Sequence, residues 1–203
     1  MDHVQPAPPE IDLPEINLPE IDRPGVALVT IGVEHVAGRQ EEAVREALGR
    51  WAGAPDGLVC AAVFASADGE AVLSYAQWAD DSVRAVGGVR FRVARSTSGV
   101  GTAGCVVTAG FDVDGGERQR HLVGALVDAA VVGGALPGAV GAHFHLSEDG
   151  SRVLVYAEWV SPEAHERAMR DAALDEVYRV SVQTPGVRPL RGRVYRVRGV
   201  VRP

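Results

Sequence analysis

The pattern of apolar and polar positions along this chain predicts short strands separated by amphipathic helices. Apolar runs such as LVCAAVFAS and AVLSYAQW contain many β-branched and aromatic residues, and an Asp-Gly turn divides them into a hairpin. Apolar residues at helical spacing predict one helix over about residues 39–51 and another over about residues 117–131. The chain therefore alternates between strand and helix.

The same pattern occurs twice. Residues 57–81 read GLVCAAVFASADGEAVLSYAQWADD, and residues 138–162, 81 positions later, read GAVGAHFHLSEDGSRVLVYAEWVSP. Upstream, ALVTIGVEHVAGRQEEAVREAL at 27–48 aligns with CVVTAGFDVDGGERQRHLVGAL at 105–126. A repeat of this kind indicates two copies of one structural unit.

The pattern in each copy predicts elements in the order strand, helix, strand, hairpin, strand, helix, strand. The last strands are expected over residues 89–95 and 191–199. This βαββαβ order is that of the ferredoxin-like unit, whose sheet has one bare face. We therefore expect an α+β fold in which two tandem units, residues 25–99 and 100–203, stack as an internal pseudo-dimer.

The two copies differ after the Tyr-Ala-x-Trp motif. The first has only Ala79–Gly88 before its last strand, whereas the second has Val160–Val187, enough for helices over about 162–171 and 174–182. A pocket needs a sheet face and a cover. We therefore expect only the second copy to enclose one.

Residues 1–24 form a separate N-terminal arm that contains PEIDL, PEINL and PEIDR. Proline at every fifth position excludes a regular helix or a central strand, so we expect an extended segment. The arm carries six acids and one arginine, and the tail from Arg188 carries six arginines and no acid. Two interpretations stay open: a solvated charged tail, or an arm docked on the protein's own surface or on a partner subunit.

Composition and charge exclude several classes of protein. The net charge of −7 argues against a nucleic-acid-binding protein. No apolar run approaches the ~20 residues of a membrane helix, and the first residues do not resemble a secretory signal. Cys60 and Cys105 lie in apolar strands, so we expect reduced thiols and a cytoplasmic protein. Because no dinucleotide, phosphate-loop or zinc-protease motif is present, no cofactor and no metal are predicted.

Histidines in the second hairpin form the most polar candidate cluster. An even-length turn places His143 and His145 on the same face as Tyr156 and Glu158, with Phe144, Val155 and Trp159 on the other face. Imidazole and carboxylate groups together can bind zinc or iron. They can also form a hydrogen-bonded polar cluster between sheets or a proton relay to a substrate, and the sequence leaves these three interpretations open.

The hairpin pattern DG-x-x-V-x-x-YAQW, followed by a helix, resembles the antibiotic biosynthesis monooxygenase family. The match covers about residues 26–202 and both copies. The resemblance implies a dimeric α+β barrel, here formed within one chain, and allows a homodimer. It also implies a cofactor-free oxygenase in antibiotic biosynthesis. Its partners would be O2 and an aromatic polyketide-type substrate, an anthrone or hydroquinone oxidised to a quinone.

The resemblance also implies site residues. It assigns catalytic roles to the motif tryptophan, to the residue one turn into the next helix and to a helical arginine: Trp159, His165 and Arg179. The corresponding first-copy positions include Trp78 and Arg84. Many active members have an asparagine four positions before the tryptophan, where this chain has Ser74 and Val155. The implied substrate-binding residues are Val155, Tyr178, Phe144, His143, His145 and Tyr156.

Other interpretations of these residues stay open. Trp159 is either a core residue or a pocket wall, and His165 and Arg179 are otherwise surface residues. The missing asparagine favours a non-oxidative cyclase or isomerase on the same scaffold, and an accessory protein that binds a ligand without chemistry is a further alternative.

Overall fold

An antiparallel sheet that carries helices on one face dominates the computed structural model, which describes residues 18–83 and 87–203. The strands are β1 (Leu28–His35), β2 (Leu58–Ser66), β3 (Ala71–Trp78), β4 (Val89–Ser98), β5 (Cys105–Val113), β6 (Ala139–Ser147), β7 (Arg152–Trp159), β8 (Val187–Pro189) and β9 (Arg193–Val201). The helices are α1 (Gln40–Trp51), α2 (Gly115–Gly133), α3 (Pro162–Ala168) and α4 (Asp175–Gln183).

The strands follow the order β7-β6-β4-β1-β3-β2-β9-β5-β8, and β7 also pairs with β5. All pairings are antiparallel. Because β7 and β5 meet, eight strands form a closed ring, and β8 lies outside it on β5. The predicted α+β class is confirmed, and the sheet is antiparallel.

The two final strands connect the first and second halves of the chain. Strand β4 pairs with β1 of its own half and with β6 of the other half, and β9 pairs with β5 and with β2 in the same way. Each final strand therefore has hydrogen-bond partners on both sides, so neither leaves an open edge.

The alternation of side chains along the strands separates an inner core from the cores under the helices. Inside the ring, buried residues from both halves form one cluster: Val29, Ile31, Ala62, Phe64, Leu73, Tyr75, Phe91, Val106, Tyr156 and Tyr195. Outside it, α1 covers a cluster with Trp51 and Trp78, α2 and α4 cover one with Leu122 and Phe144, and α3 covers one with Trp159.

The repeat appears in the structure as the same hydrogen-bonding device at both hairpins. A glutamine in the first or second turn of each helix reaches the end of the following strand: Gln40 Nε2 donates to the Ser66 carbonyl (2.9 Å) and Gln119 Nε2 to the Ser147 carbonyl (3.0 Å). Each serine hydroxyl in turn donates to the aspartate of the Asp-Gly turn. The helix is thereby fixed to the turn in both copies.

Several boundaries differ from those predicted. Helix α3 ends at Ala168, and a 3₁₀ turn at Ala172–Leu174 separates it from α4. The short strand β8 was not predicted, because three residues are too few to show alternation. Arg84 lies outside the described residues.

The C-terminal end of the N-terminal arm docks on the protein's own sheet. Ile21 is only 4% exposed and packs in the cluster inside the ring. The Gln77 side chain donates to the backbone carbonyl of Glu20 (2.7 Å), which fixes the segment over β3. For residues 18–24 these contacts favour the docked arm; the first 17 residues lie outside the described part of the chain.

No helix among the described residues is long and apolar enough to cross a membrane.

Candidate functional site

The β6–β7 hairpin distributes the predicted site residues over both faces of the sheet. In its register His143 lies opposite Tyr156, and Phe144 lies opposite Val155. His143 and Tyr156 point into the ring and Phe144 and Val155 point toward the helices, as the parity of the turn predicts. Phe144 and Val155 pack against α2 in a hydrophobic cluster, so their contacts are those of core residues.

Trp159 and His165 form a pair where β7 ends and α3 begins. The Ser161 hydroxyl caps α3 by accepting from the Ala164 N–H (3.2 Å), and Pro162 occupies the first turn, so the helix starts immediately after the strand. One turn later the imidazole of His165 packs edge-to-face on Trp159, with ring centroids 5.2 Å apart. The structure therefore brings together two of the three predicted catalytic residues.

His165 has an unsatisfied polar atom in this pair. Its Nδ1 is buried and has no hydrogen-bond partner among the described residues. Burial lowers the pKa of the imidazole, and nearby Glu166 opposes the shift only in part. His165 is therefore neutral near pH 7, and Nδ1 lacks the partner that a buried nitrogen normally has.

Trp159 is 5% exposed and packs against Cys105, Ala164 and Ala168. It is thus part of a small hydrophobic core and at the same time the surface on which His165 lies. These contacts fit the interpretation of Trp159 as a core residue.

Arg179 and Tyr178 are not where the resemblance places them. Helix α4 buries Val180 and partly buries Val177 against the cluster under α2, so at about 100° per residue positions 178 and 179 lie on its outer side. Tyr178 is 66% exposed, and Arg179 pairs with Glu176 one turn away on its own helix (2.7 Å). The expectation that these two residues line a pocket is corrected accordingly.

Inside the ring, His145 joins the two halves through a hydrogen bond. Its Nε2 lies 3.1 Å from the Tyr75 hydroxyl, and its Nδ1 lies 3.2 Å from the carbonyl of His143. Because a carbonyl only accepts, Nδ1 carries the proton, and Nε2 accepts from Tyr75. The imidazole of His145 is fully buried, and burial lowers its pKa to about 4.

His143 is held by a second chain of contacts that includes the docked arm. The Ser96 hydroxyl donates to Asp22 (2.5 Å) and therefore accepts from His143 Nδ1 (2.8 Å). His143 Nε2 faces Glu158 at 3.9 Å. Burial lowers the pKa of His143 and raises the pKa of Glu158, so it disfavours the charged form of each group, and at 3.9 Å the two make no close ion pair.

Tyr156 adds an unsatisfied hydroxyl to this interior. Its oxygen is buried without a hydrogen-bond partner in the described structure, and burial raises the pKa of the phenol well above its usual value. Sequence reasoning missed Tyr75, although it occupies the position of Tyr156 in the first copy and the repeat marks it. It also missed Ser96 and Asp22, which meet His143 only through long-range packing.

These contacts bear on the three interpretations of the His-x-His pair. His143 and His145 both lie in the hydrogen-bonded polar cluster that one interpretation expects. Over the described ranges, no group of three or more His, Cys, Asp or Glu side chains is placed to hold a metal ion.

Three cavities open elsewhere on the described structure. One of about 350 Å³ lies on the helix-covered face of the first half, lined by Trp51, Val72 and Ser74 among others. The expectation that only the second half encloses space is thus wrong, because the end of α1 provides part of the wall. The other two, of about 430 and 540 Å³, lie beside the docked arm and near the opposite end of β1.

Comparison with solved structures identifies proteins of similar fold. An anthrone oxidase-like protein superposes with a TM-score of 0.67 at 17% identity, covering 86% of this chain and 92% of that one. A ferredoxin-fold protein from Listeria monocytogenes related to antibiotic biosynthesis monooxygenases gives 0.56 at 13% identity, with 84% and 94% covered. A heme-degrading enzyme from Listeria monocytogenes gives 0.53 at 14% identity, with 83% and 98% covered.

No protein-family model matches the sequence, and neither does any curated protein. At these identities the structural similarity establishes the fold alone. The resemblance to the antibiotic biosynthesis monooxygenases is therefore confirmed at the level of the ferredoxin-like fold.

Proposed function

We propose that this chain is a cofactor-independent, oxygenase-like protein that oxidises an electron-rich aromatic molecule, an anthrone or hydroquinone, to a quinone. The observation that carries the proposal is the Trp159–His165 pair, whose buried Nδ1 has no partner among the described residues. The fold it shares with anthrone oxidase-like and monooxygenase-like proteins supports the same class. A role in a cytoplasmic antibiotic pathway belongs to this proposal.

The proposal includes the architecture expected from the repeat. Residues 25–99 and 100–203 would be two ferredoxin-like units that close as an intramolecular dimeric α+β barrel, with residues 1–24 as an arm. The pairing of β4 with β6 and of β9 with β2 supports this arrangement, because each unit supplies the strand that completes the other.

In the proposed reaction His165 acts as the base. Neutral imidazole can accept the acidic proton of an anthrone methylene or a phenol. The resulting anion is delocalised over the aromatic ring and rests against Trp159. It reduces O2 to form a carbon-bound peroxide. With an anthrone, loss of water from the peroxide leaves one oxygen atom as the new carbonyl. With a hydroquinone, the peroxide leaves as H2O2 and the ring carbon keeps its own oxygen. In both cases the substrate supplies all the electrons.

A second candidate function is ligand binding or isomerisation without O2. Two observations favour it: Val155 cannot donate the hydrogen bond that an amide would provide, and Arg179 is engaged with Glu176 on the surface. In that case the Trp159–His165 pair would hold a ligand without oxidising it.

Oxygen consumption with anthrone as substrate tests the proposal. We expect His165→Gln to remove most of the uptake, while His121→Gln, a change at an exposed helical histidine, leaves it unchanged. Circular dichroism must first show that both variants are folded. Wild-type protein that binds anthrone without consuming O2 would favour the second function.

A matched pair of tryptophan variants tests which copy is active. Trp159→Phe and Trp78→Phe remove the same group from the two repeats and preserve most of the packing volume. We expect only Trp159→Phe to lower uptake strongly. Equal losses of O2 uptake in the two folded variants would mean that the active half is assigned wrongly.

A further inference from the structure

The cavity of about 540 Å³ lies at the opposite end of β1 from the docked arm. Its inner wall is apolar and continues into the core of the ring through Ile31, Phe91 and Leu154. The size falls within the ~300–1,000 Å³ of small-molecule sites in proteins. This end of the ring therefore offers an apolar recess that is open to solvent.

Three arginines form the charged part of the wall of the same cavity. Arg152, Arg191 and Arg193 line it, and no aspartate or glutamate is among the described residues of its wall. Their acidic partners, Asp112, Asp68 and Glu70, lie outside the wall. The charged groups that face the recess are therefore guanidinium groups, which can bind an anion there.

Arg193 is the most deeply buried of the three. Its side chain is only 10% exposed, and its Nη1 is buried without an acceptor among the described residues. Its contacts to Glu70 (3.4 Å) and Asp68 (3.8 Å) are long. By comparison, Arg198 reaches Glu41 at 2.6 Å. A buried guanidinium normally has close partners for its donors, so Arg193 is incompletely paired.

The other two arginines can turn toward a ligand. Arg152 is 49% exposed and lies 3.5 Å from Asp112; Arg191 is 70% exposed and lies 3.5 Å from Asp68. Contacts of this length between exposed side chains contribute little stability. Reorienting either side chain to an anion therefore costs little.

We propose that this cavity binds a small organic anion with an apolar body. The anionic group would lie among Arg152, Arg191 and Arg193, where planar guanidinium groups favour a carboxylate, and the body would pack on Ile31 and Phe91. None of these residues belongs to the Trp159–His165 pair. The site is therefore independent of the proposed oxygenase activity.

Calorimetric titration with 2-naphthoate, compared with the neutral isostere 2-naphthamide, tests the proposal on the whole chain. We expect the carboxylate to bind about tenfold more tightly, in line with the strength of charge-assisted hydrogen bonds, and to bind more weakly as salt is raised. Equal affinity for the two probes, or failure of 2-naphthoate to bind, would overturn the proposal.

The chain offers a matched control for the variants. Arg188 pairs with Asp112 as Arg152 does, but it does not line the cavity. We expect Arg152→Gln and Arg191→Gln each to weaken 2-naphthoate binding about threefold to tenfold and Arg188→Gln to leave it unchanged. Because the Arg152 and Arg191 side chains are exposed, we expect these two variants to remain folded. An equal effect of Arg188→Gln would mean that only the overall charge matters and would refute the site.

Discussion

Protonation of His145 should make this fold sensitive to mild acid. The imidazole is fully buried inside the ring and is held in its neutral form by Tyr75 and by the carbonyl of His143. Burial lowers its pKa to about 4. The perturbation that tests this is His145→Gln, which removes the titrating group and keeps a polar side chain.

The sign follows from the two pKa values. In the unfolded chain histidine titrates near ~6.5, so at lower pH the unfolded state takes up the proton first. Above pH ~6.5 His145 is neutral in both states, so the free energy of unfolding does not depend on its titration. As the pH falls from ~6.5 to about 4, the folded state loses stability. The difference between a pKa of ~6.5 in the unfolded chain and about 4 in the folded one corresponds to about 3 kcal/mol.

Urea unfolding at pH 7.5 and at pH 4.5 measures the effect. We expect the wild-type protein to lose on the order of 2–3 kcal/mol more between these conditions than His145→Gln does. His121→Gln, at an exposed position, serves as the control and should behave like the wild type. Because each protein is compared with itself, any constant cost of the substitution cancels. Equal acid sensitivity in the wild type and His145→Gln would refute the reasoning.

Three further predictions concern stability and reactivity. Ile21→Ala should cost about 2–4 kcal/mol, seen as a fall of ~5–15 °C in melting temperature, whereas the exposed Glu20→Ala should cost almost nothing; equal effects would mean that the arm is not docked. Cys60 and Cys105 are buried, and burial raises the pKa of both thiols, for Cys105 to about 11, so a disulfide reagent at pH 8 should label them only after unfolding. Gln119→Ala should lower the free energy of unfolding by about 1–3 kcal/mol, because it removes the donor to two hairpin carbonyls, one of them in a buried hydrogen bond; an unchanged urea midpoint would contradict this role.

The meeting of two candidate site residues could be expected from the sequence because it depends on local order. Trp159 and His165 are six residues apart, and the strand end, cap and helix start between them bring the two rings into contact. The face of the sheet to which each hairpin side chain points follows from the length of the turn alone. Arg179 was misplaced because its position depends on how α4 rotates against α2, and that rotation is set by the apolar contacts of Val177 and Val180.

The sequence by itself determined the order of the elements, the two copies and the alternation within each strand, because these depend on periodicity and turn chemistry over short distances. Only the tertiary structure decided which strands meet across the halves and what fills the ring. Asp22 reaches Ser96, Tyr75 reaches His145, and Arg193 lines a cavity with Arg152, yet each pair is separated by 41 to 74 positions in the chain. Such contacts are set by strand pairing and by the docking of the arm, which local patterns do not encode.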